Sequence, residues 1–250
     1  MPRTMLSDER WKSLAKLMKD TGRVYNKREH RVTLEGILYR MRTGCPWRDL
    51  PNEFGRWNTV FRRFNLWSRK GVMTQLFKVL SQDTDVEWVF LDASYVRAHQ
   101  HGHGAATPGD EAIGKSRGGN TTKIHLAVDS YGLPIHFELS AGQVSDISRA
   151  ESLLDGVPVS EYVIADKGYD SQALRESIAA RGSQPVIPRR KNNLRGNDGM
   201  DWCLYKYRHL VENMFARIKH FRAISTRYDK LERNFASMLA LAFVIVWLPM

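Results

Sequence analysis

Three acidic residues, Asp92, Asp166 and Glu212, stand where a divalent-ion site would need them. Asp92 ends the apolar part of EWVFLDA (87–93) and Asp166 ends EYVIAD (161–166). Glu212 lies in the helical stretch YKYRHLVENMFARIKHFR (205–222). Ligand-binding groups gather at strand ends in sheets flanked by helices. Three carboxylates meeting there would supply the oxygen ligands that hold one or two Mg²⁺ ions beside phosphate and water. For either aspartate alone, a capping or turn role is the simpler reading. At about 100° per residue, Arg208, Glu212 and Lys219 fall within about 60° of Tyr205, forming one polar stripe. Leu210, Val211, Met214, Ile218 and Phe221 lie on the opposite side. One carboxylate among cations suits a metal ion held beside a polyanion; a solvated face on an ordinary amphipathic helix is the alternative.

The elements that must position these residues follow from periodicity. Residues 7–19, 28–42, 56–69 and 72–81 carry apolar positions at helical spacing, with a Ser–Asp start at residue 7 and Gly44 as a stop. The third of these, RWNTVFRRFNLWSR, has an apolar stripe of Trp57, Val60, Phe61, Phe64 and Trp67, and offers Arg56, Arg62 and Arg63 for phosphate or base contact. Short helices joined by tight turns suit a helix-turn-helix-like DNA-binding unit over 1–84. The polar run SQDTD (81–85) is a plausible joint.

Beyond it, strands are expected at 87–93, 121–129, 133–142, 162–165 and 184–188, with helices at 146–155 and 171–181. The second and third strands form a hairpin with Asp129 in the turn, and Ile124, Leu126 and Val128 alternate with Lys123 and His125. Asp146 is the expected helix cap. The order predicts an α/β domain over 85–250, with the carboxylates at the ends of elements.

Some motifs lead nowhere. GDEAIGKS (109–116) has the letters of a phosphate-binding loop, but neither a strand before it nor a helix after it. KSRGGN (115–120) reads instead as a flexible loop whose Lys115 and Arg117 could meet phosphate. His99, His101 and His103 alternate, yet no further ligand at recognisable spacing makes a zinc site. No nucleophile-elbow signature appears.

The totals agree with a nucleic-acid partner. The 250 residues carry a formal net charge of +11, with 42 % hydrophobic residues, enough for a sizeable core. Two distant cysteines, Cys45 and Cys203, form no disulfide framework and fit a reducing cytosol. The opening MPRTMLSDER lacks an apolar signal core, and the apolar run 235–248 is short for a membrane span, which takes roughly 18 residues or more.

Tyr205, Arg208, Glu212 and Lys219 reproduce the Y-(2)-R-(3)-E-(6)-K signature of bacterial insertion-sequence DDE transposases. LYRMRTGCPWRDLP, FGRWNTVFRRF, LDAS, GKSRGGNTTKIHLAVD and VIADKGYDS extend the likeness, so that nearly the whole chain resembles the insertion-sequence-five family. The resemblance implies an RNase H-like core, a mixed five-stranded sheet flanked by helices and preceded by the small all-α domain. It implies Asp92, Asp166 and Glu212 as catalytic, metal-binding residues for two Mg²⁺ ions, which Mn²⁺ could replace. Tyr205, Arg208 and Lys219 would contact the transposon end. The expected partners are terminal inverted repeats and target DNA, handled by a homodimer in the cytoplasm at the nucleoid, with no membrane and no nucleotide. The 46 positions from Asp166 to Glu212 leave no room for the large β-rich insertion of some relatives. Two other readings compete: a catalytically inactive DNA-binding regulator, and an RNase H-like nuclease that never joins strands.

Overall fold

The computed structural model describes residues 2–24, 27, 29–102, 111–191, 193 and 196–248. The chain divides into two compact units: Met1–Leu80 with Arg97–Glu111 and Ile218–Met250, and Ser81–Val96 with Ala112–Arg217. His103, Gly109 and several residues of the basic loop 189–195 lie outside the described residues.

The first unit opens with α1 (Asp8–Asp20), α2 (His30–Thr43), α3 (Trp57–Arg69) and α4 (Val72–Leu80). The Ser7 hydroxyl accepts from the Arg10 N–H and caps α1. Gly44, at φ +70°, ends α2, a backbone state that a side chain would strain. α3 buries one stripe, Val60, Phe64 and Trp67, whereas α2 is buried nearly all round, with Leu34, Ile37, Leu38 and Met41 beside the polar Thr33, Glu35 and Arg40.

The second unit is built on a sheet. β1 (Trp88–Ala98) is followed by β2 (Gly114–Ser116), β3 (Gly119–Val128) and β4 (Pro134–Ala141). Then come α5 (Ala150–Asp155), β5 (Tyr162–Ala165), α6 (Gln172–Ala180), β6 (Gln184–Val186), α7 (Trp202–Tyr205) and α8 (His209–Lys219). β3 neighbours β1, β1 neighbours β5 and β5 neighbours β6; β2 and β4 both pair with β3. The β1–β5–β6 pairs are parallel, whereas β2–β3 and β3–β4 are antiparallel. The sheet is mixed, as expected.

Several local expectations change. β1 runs six residues past Asp92, so that aspartate sits within the strand and not at its end. KSRGGN is not a free loop: Lys115 pairs with Asn120 and Ser116 with Gly119 in a tight hairpin, which Gly119 closes at φ +90°. Lys123 and His125 do not face water. Both are buried, because the alternate face of β3 is covered too. Lys123 Nζ lies 2.6 Å from the Val144 carbonyl and 2.8 Å from Asp146, and His125 Nε2 lies 2.8 Å from the Ser140 hydroxyl. Asp146 therefore answers a buried lysine and opens a 3-10 turn, Asp146–Arg149, ahead of α5 instead of capping it. Asp129 is the turn residue it was expected to be: Oδ1 accepts from the Tyr131 and Leu133 N–H groups.

The chain then returns to the helical unit with α9 (Arg222–Ser225), β7 (Thr226–Arg227) and α10 (Glu232–Trp247). β7 pairs with Arg97 and Ala98, bringing the described sheet to seven strands, five longer or central ones plus the short β2 and β7. α10 is apolar almost all round and buries eleven residues, so it needs helices on more than one side. It finds α3 and α4: Phe77 and Phe243 stack at 5.2 Å, and the Ser237 hydroxyl donates to Ser68, which donates to the Arg233 carbonyl. This is why the compact units do not follow a single cut near residue 84. No helix among the described residues is long and apolar enough to cross a membrane.

Candidate active site

Register brings the two aspartates together. The parallel β1–β5 pair ends at Leu91 opposite Ala165, so Asp92 and Asp166 are the next residues on adjacent strands. Neighbouring strands lie about 4.8 Å apart, and equivalent positions point to the same face. Asp166 Oδ1 accepts from the Gly168 N–H at 2.7 Å and caps the short turn Lys167–Tyr169. Asp92 Oδ1 accepts from the Ala93 N–H at 2.8 Å.

Glu212 arrives from α8. Val211, Met214 and Ile218 bury the back of that helix, which leaves Glu212 exposed. The stretch 205–222 is not one helix. α7 ends at Tyr205, a 3-10 turn covers Lys206–Arg208, and α8 begins at His209. Yet Arg208 and Glu212 remain four apart and touch. One Arg208 nitrogen donates to Glu212 Oε1, and the other donates to Asp92 Oδ2 at 3.1 Å. The guanidinium also lies 5.9 Å from the Tyr205 ring.

Electrostatics tie the group together. Burial pushes the Asp92 carboxyl up from its usual 3.8 to about 6, against the pull of the Ala93 N–H and of Arg208; Asp166 and Glu212 push the same way as burial. Tyr169 is buried, its hydroxyl without a hydrogen-bond partner among the described residues, and burial together with Asp146, Asp92 and Asp166 raises its ionisation well above the usual range.

The donors suit a hard divalent ion in kind, being anionic oxygens in electrostatic reach of one another. A cation already stands between two of them, since the Arg208 guanidinium bridges Asp92 and Glu212. The expected three-way convergence is not present: among the described residues, no three such side chains are close enough to share an ion. Asp92 and Glu212 face one cation, and Asp166 sits beside Asp92 with one oxygen held by its own turn.

Lys115 and Arg117 are exposed on the β2–β3 hairpin. Lys219 ends α8, beyond the boundary of the sheet unit. Arg56 and Arg62 are exposed and Arg63 is half-buried in the helical unit. Sequence reasoning missed Arg190, whose guanidinium donates to the Lys167 and Gly168 carbonyls in the turn after Asp166. It also missed Tyr169, although both belong to conspicuous stretches, the basic RRKNNLR and the ADKGYD motif. His99 stacks on Tyr228 at 4.6 Å and His101 lies beside His99. A cavity of about 690 Å³ in the helical unit, lined by Arg40, Trp47, Phe61, Tyr228, Asp229 and Asn234 among others, includes none of Asp92, Asp166 and Glu212.

Residues 6–77 match the family described as "Putative transposase of IS4/5 family", and residues 87–247 match "Transposase DDE domain". The chain is 37 % identical over 132 residues to "Putative transposase for insertion sequence element IS6501" of Brucella ovis, covering 51 % of this chain and 98 % of that protein. It is 30 % identical over 120 residues to "Putative transposase for insertion sequence element IS402" of Burkholderia cepacia, covering 44 % and 54 %. Among solved structures it is similar to the piggyBac transposase synaptic complex with hairpin DNA (TM-score 0.45, 13 % identity, 69 % of this chain and 44 % of that one). It is also similar to a pre-cleavage Mos1 transpososome (TM-score 0.29, 10 % identity, 89 % and 79 %).

Proposed function

The chain belongs to the DDE-domain transposases, enzymes that cut and join DNA, and on that premise we propose that Asp92, Asp166 and Glu212 are its catalytic, metal-binding set. The observation that carries this reading is the β1–β5 register, which makes Asp92 and Asp166 side-by-side neighbours, with Glu212 joined to Asp92 through Arg208. Asp92, Asp166 and Glu212 would hold two Mg²⁺ ions, or Mn²⁺ in their place, which when bound would supply Lewis acidity toward phosphate and water. The chain's part is to hold the oxygens in place. The β1 and β5 backbones fix the two aspartates, and the buried face of α8 fixes the glutamate.

In this reading a terminal inverted repeat is cut at its 3′ end, and the freed hydroxyl attacks target DNA. Tyr205, Arg208 and Lys219, with Lys115 and Arg117 on the β2–β3 hairpin, position the DNA backbone. Arg56, Arg62 and Arg63 bring the helical unit onto the repeats, and two copies act together in the cytoplasm at the nucleoid. The net charge of +11 supports a polyanionic partner.

Asp92→Asn, Asp166→Asn and Glu212→Gln each reduce cleavage of a labelled element end on the order of a thousandfold or more, while gel-shift binding of that end persists. Cleavage at a near-normal rate in one variant removes that residue from the set. Labelled ends, a target plasmid and Mg²⁺ together separate the alternatives: joined product marks a transposase, cut ends alone a nuclease, and neither a regulator.

A further inference from the structure

The guanidinium of Arg208 uses two of its nitrogens on two different carboxylates, Asp92 and Glu212. Asp92 is mostly buried, its side chain 19 % exposed, and its other oxygen is taken by the Ala93 N–H. A Mg²⁺ ion on these oxygens, held at the short distance of about 2.0–2.1 Å that it demands, would stand close beside the guanidinium. A guanidinium cannot lose its charge at ordinary pH, so it and a divalent ion repel one another. The two cations therefore exclude each other from the same pair of oxygens.

Arg208 has somewhere else to go. It stands on the 3-10 turn ahead of α8, its side chain 21 % exposed, with the face of Tyr205 three residues back at 5.9 Å. An aromatic face accepts a guanidinium, and a phosphate accepts it better, through two parallel hydrogen bonds.

We propose that Arg208 and the divalent ion compete for Asp92 and Glu212, so that ion binding releases the guanidinium to a DNA phosphate. Arg208 is then a positioning residue that couples the two ligands: each strengthens the binding of the other, as linkage requires. The inference rests on the proposed metal set and deepens it. Without DNA, Arg208 holds the site closed against metal; with DNA, the phosphate draws it away.

The test is Mn²⁺ binding by the full chain, read from the electron-paramagnetic-resonance signal of the free ion, with and without a duplex oligonucleotide. In the absence of DNA, Arg208→Gln binds Mn²⁺ about five- to a hundredfold more tightly than wild type. Duplex DNA tightens Mn²⁺ binding to the wild type by a clearly larger factor than to Arg208→Gln, in which only the phosphate's own contact with the ion remains, both being read against the duplex alone. Arg208→Lys, which keeps the charge but loses the fork, falls between them. Arg217→Gln removes an exposed charge from α8 and stays within about twofold of wild type, since screening weakens distant charges. Equal or weaker Mn²⁺ binding by Arg208→Gln, or an equal gain in Arg217→Gln, overturns the competition. Asp92→Asn distinguishes the two levels. If it abolishes Mn²⁺ binding while Arg208→Gln changes nothing, the competition fails and the metal set stands. If it leaves Mn²⁺ binding intact, both fail.

Discussion

Asp92 carries its charge at a cost that burial imposes. Its carboxyl titrates near 6 in the folded chain and at its usual 3.8 when exposed. Between those values the folded state binds more protons than the unfolded one, so this group's contribution to stability falls as pH rises from about 4 to about 6 and stays unfavourable above. Asp92→Asn is therefore expected to stabilise the metal-free protein at pH 7 by at most about 3 kcal/mol, seen as a higher melting temperature, with little or no gain at pH 4. The loss of Arg208's partner trims that gain. Thermal melts in a chelator at the two pH values check it; an equal effect at both refutes the burial argument. His125 works in the opposite direction, since burial lowers it to about 4 from 6.5 and its contribution is lost as pH falls. It is present in both proteins and cancels in the comparison. The two aspartates were legible in the sequence because each follows a short apolar run with strand character. The pairing of Asp92 with Arg208, 116 positions away, was not, because a contact that distant leaves no local pattern.

Among the elements, the helices and strands read from periodicity recur with ends shifted by a few residues, because caps and glycines mark them chemically. Two kinds of error have physical causes. The stretch 205–222 has continuous helical amphipathicity, yet Lys206–Arg208 tightens to 3-10 geometry, which residue pattern does not report. On β3 the lysine and histidine that alternate with the apolar residues are themselves buried, Lys123 against the Val144 carbonyl and Asp146 and His125 against Ser140. The helical unit hides a similar polar pair: Arg40 of α2 bonds both Asp229 oxygens at 3.3 Å, both side chains are buried, and the guanidinium lies 4.6 Å from the Trp47 ring. Asp229→Ala leaves a buried guanidinium without its carboxylate and is expected to cost about 3–5 kcal/mol. Denaturant unfolding measures it; a loss below about 1 kcal/mol would mean that water reaches Arg40.

At the scale of the whole molecule, the order of segments matters more than their content. The first four helices read as a free-standing domain because they come first and are followed by a polar joint. Their packing against the apolar α10 is invisible to any local window. A fragment of residues 1–84 is accordingly expected to lack a cooperative thermal transition, having lost the helix that α3 and α4 bury. Far-ultraviolet circular dichroism during heating decides this, and a sharp melt of that fragment would make α10 dispensable. The polypeptide passes between the two units at four places: after Leu80, Val96, Glu111 and Arg217. Recombining genes of this type at a single breakpoint therefore cannot trade the helical unit as a cassette. A chimaera that exchanges the helical unit needs its three segments swapped together, and one protease nick at a crossing would leave two pieces, neither of them a single whole unit.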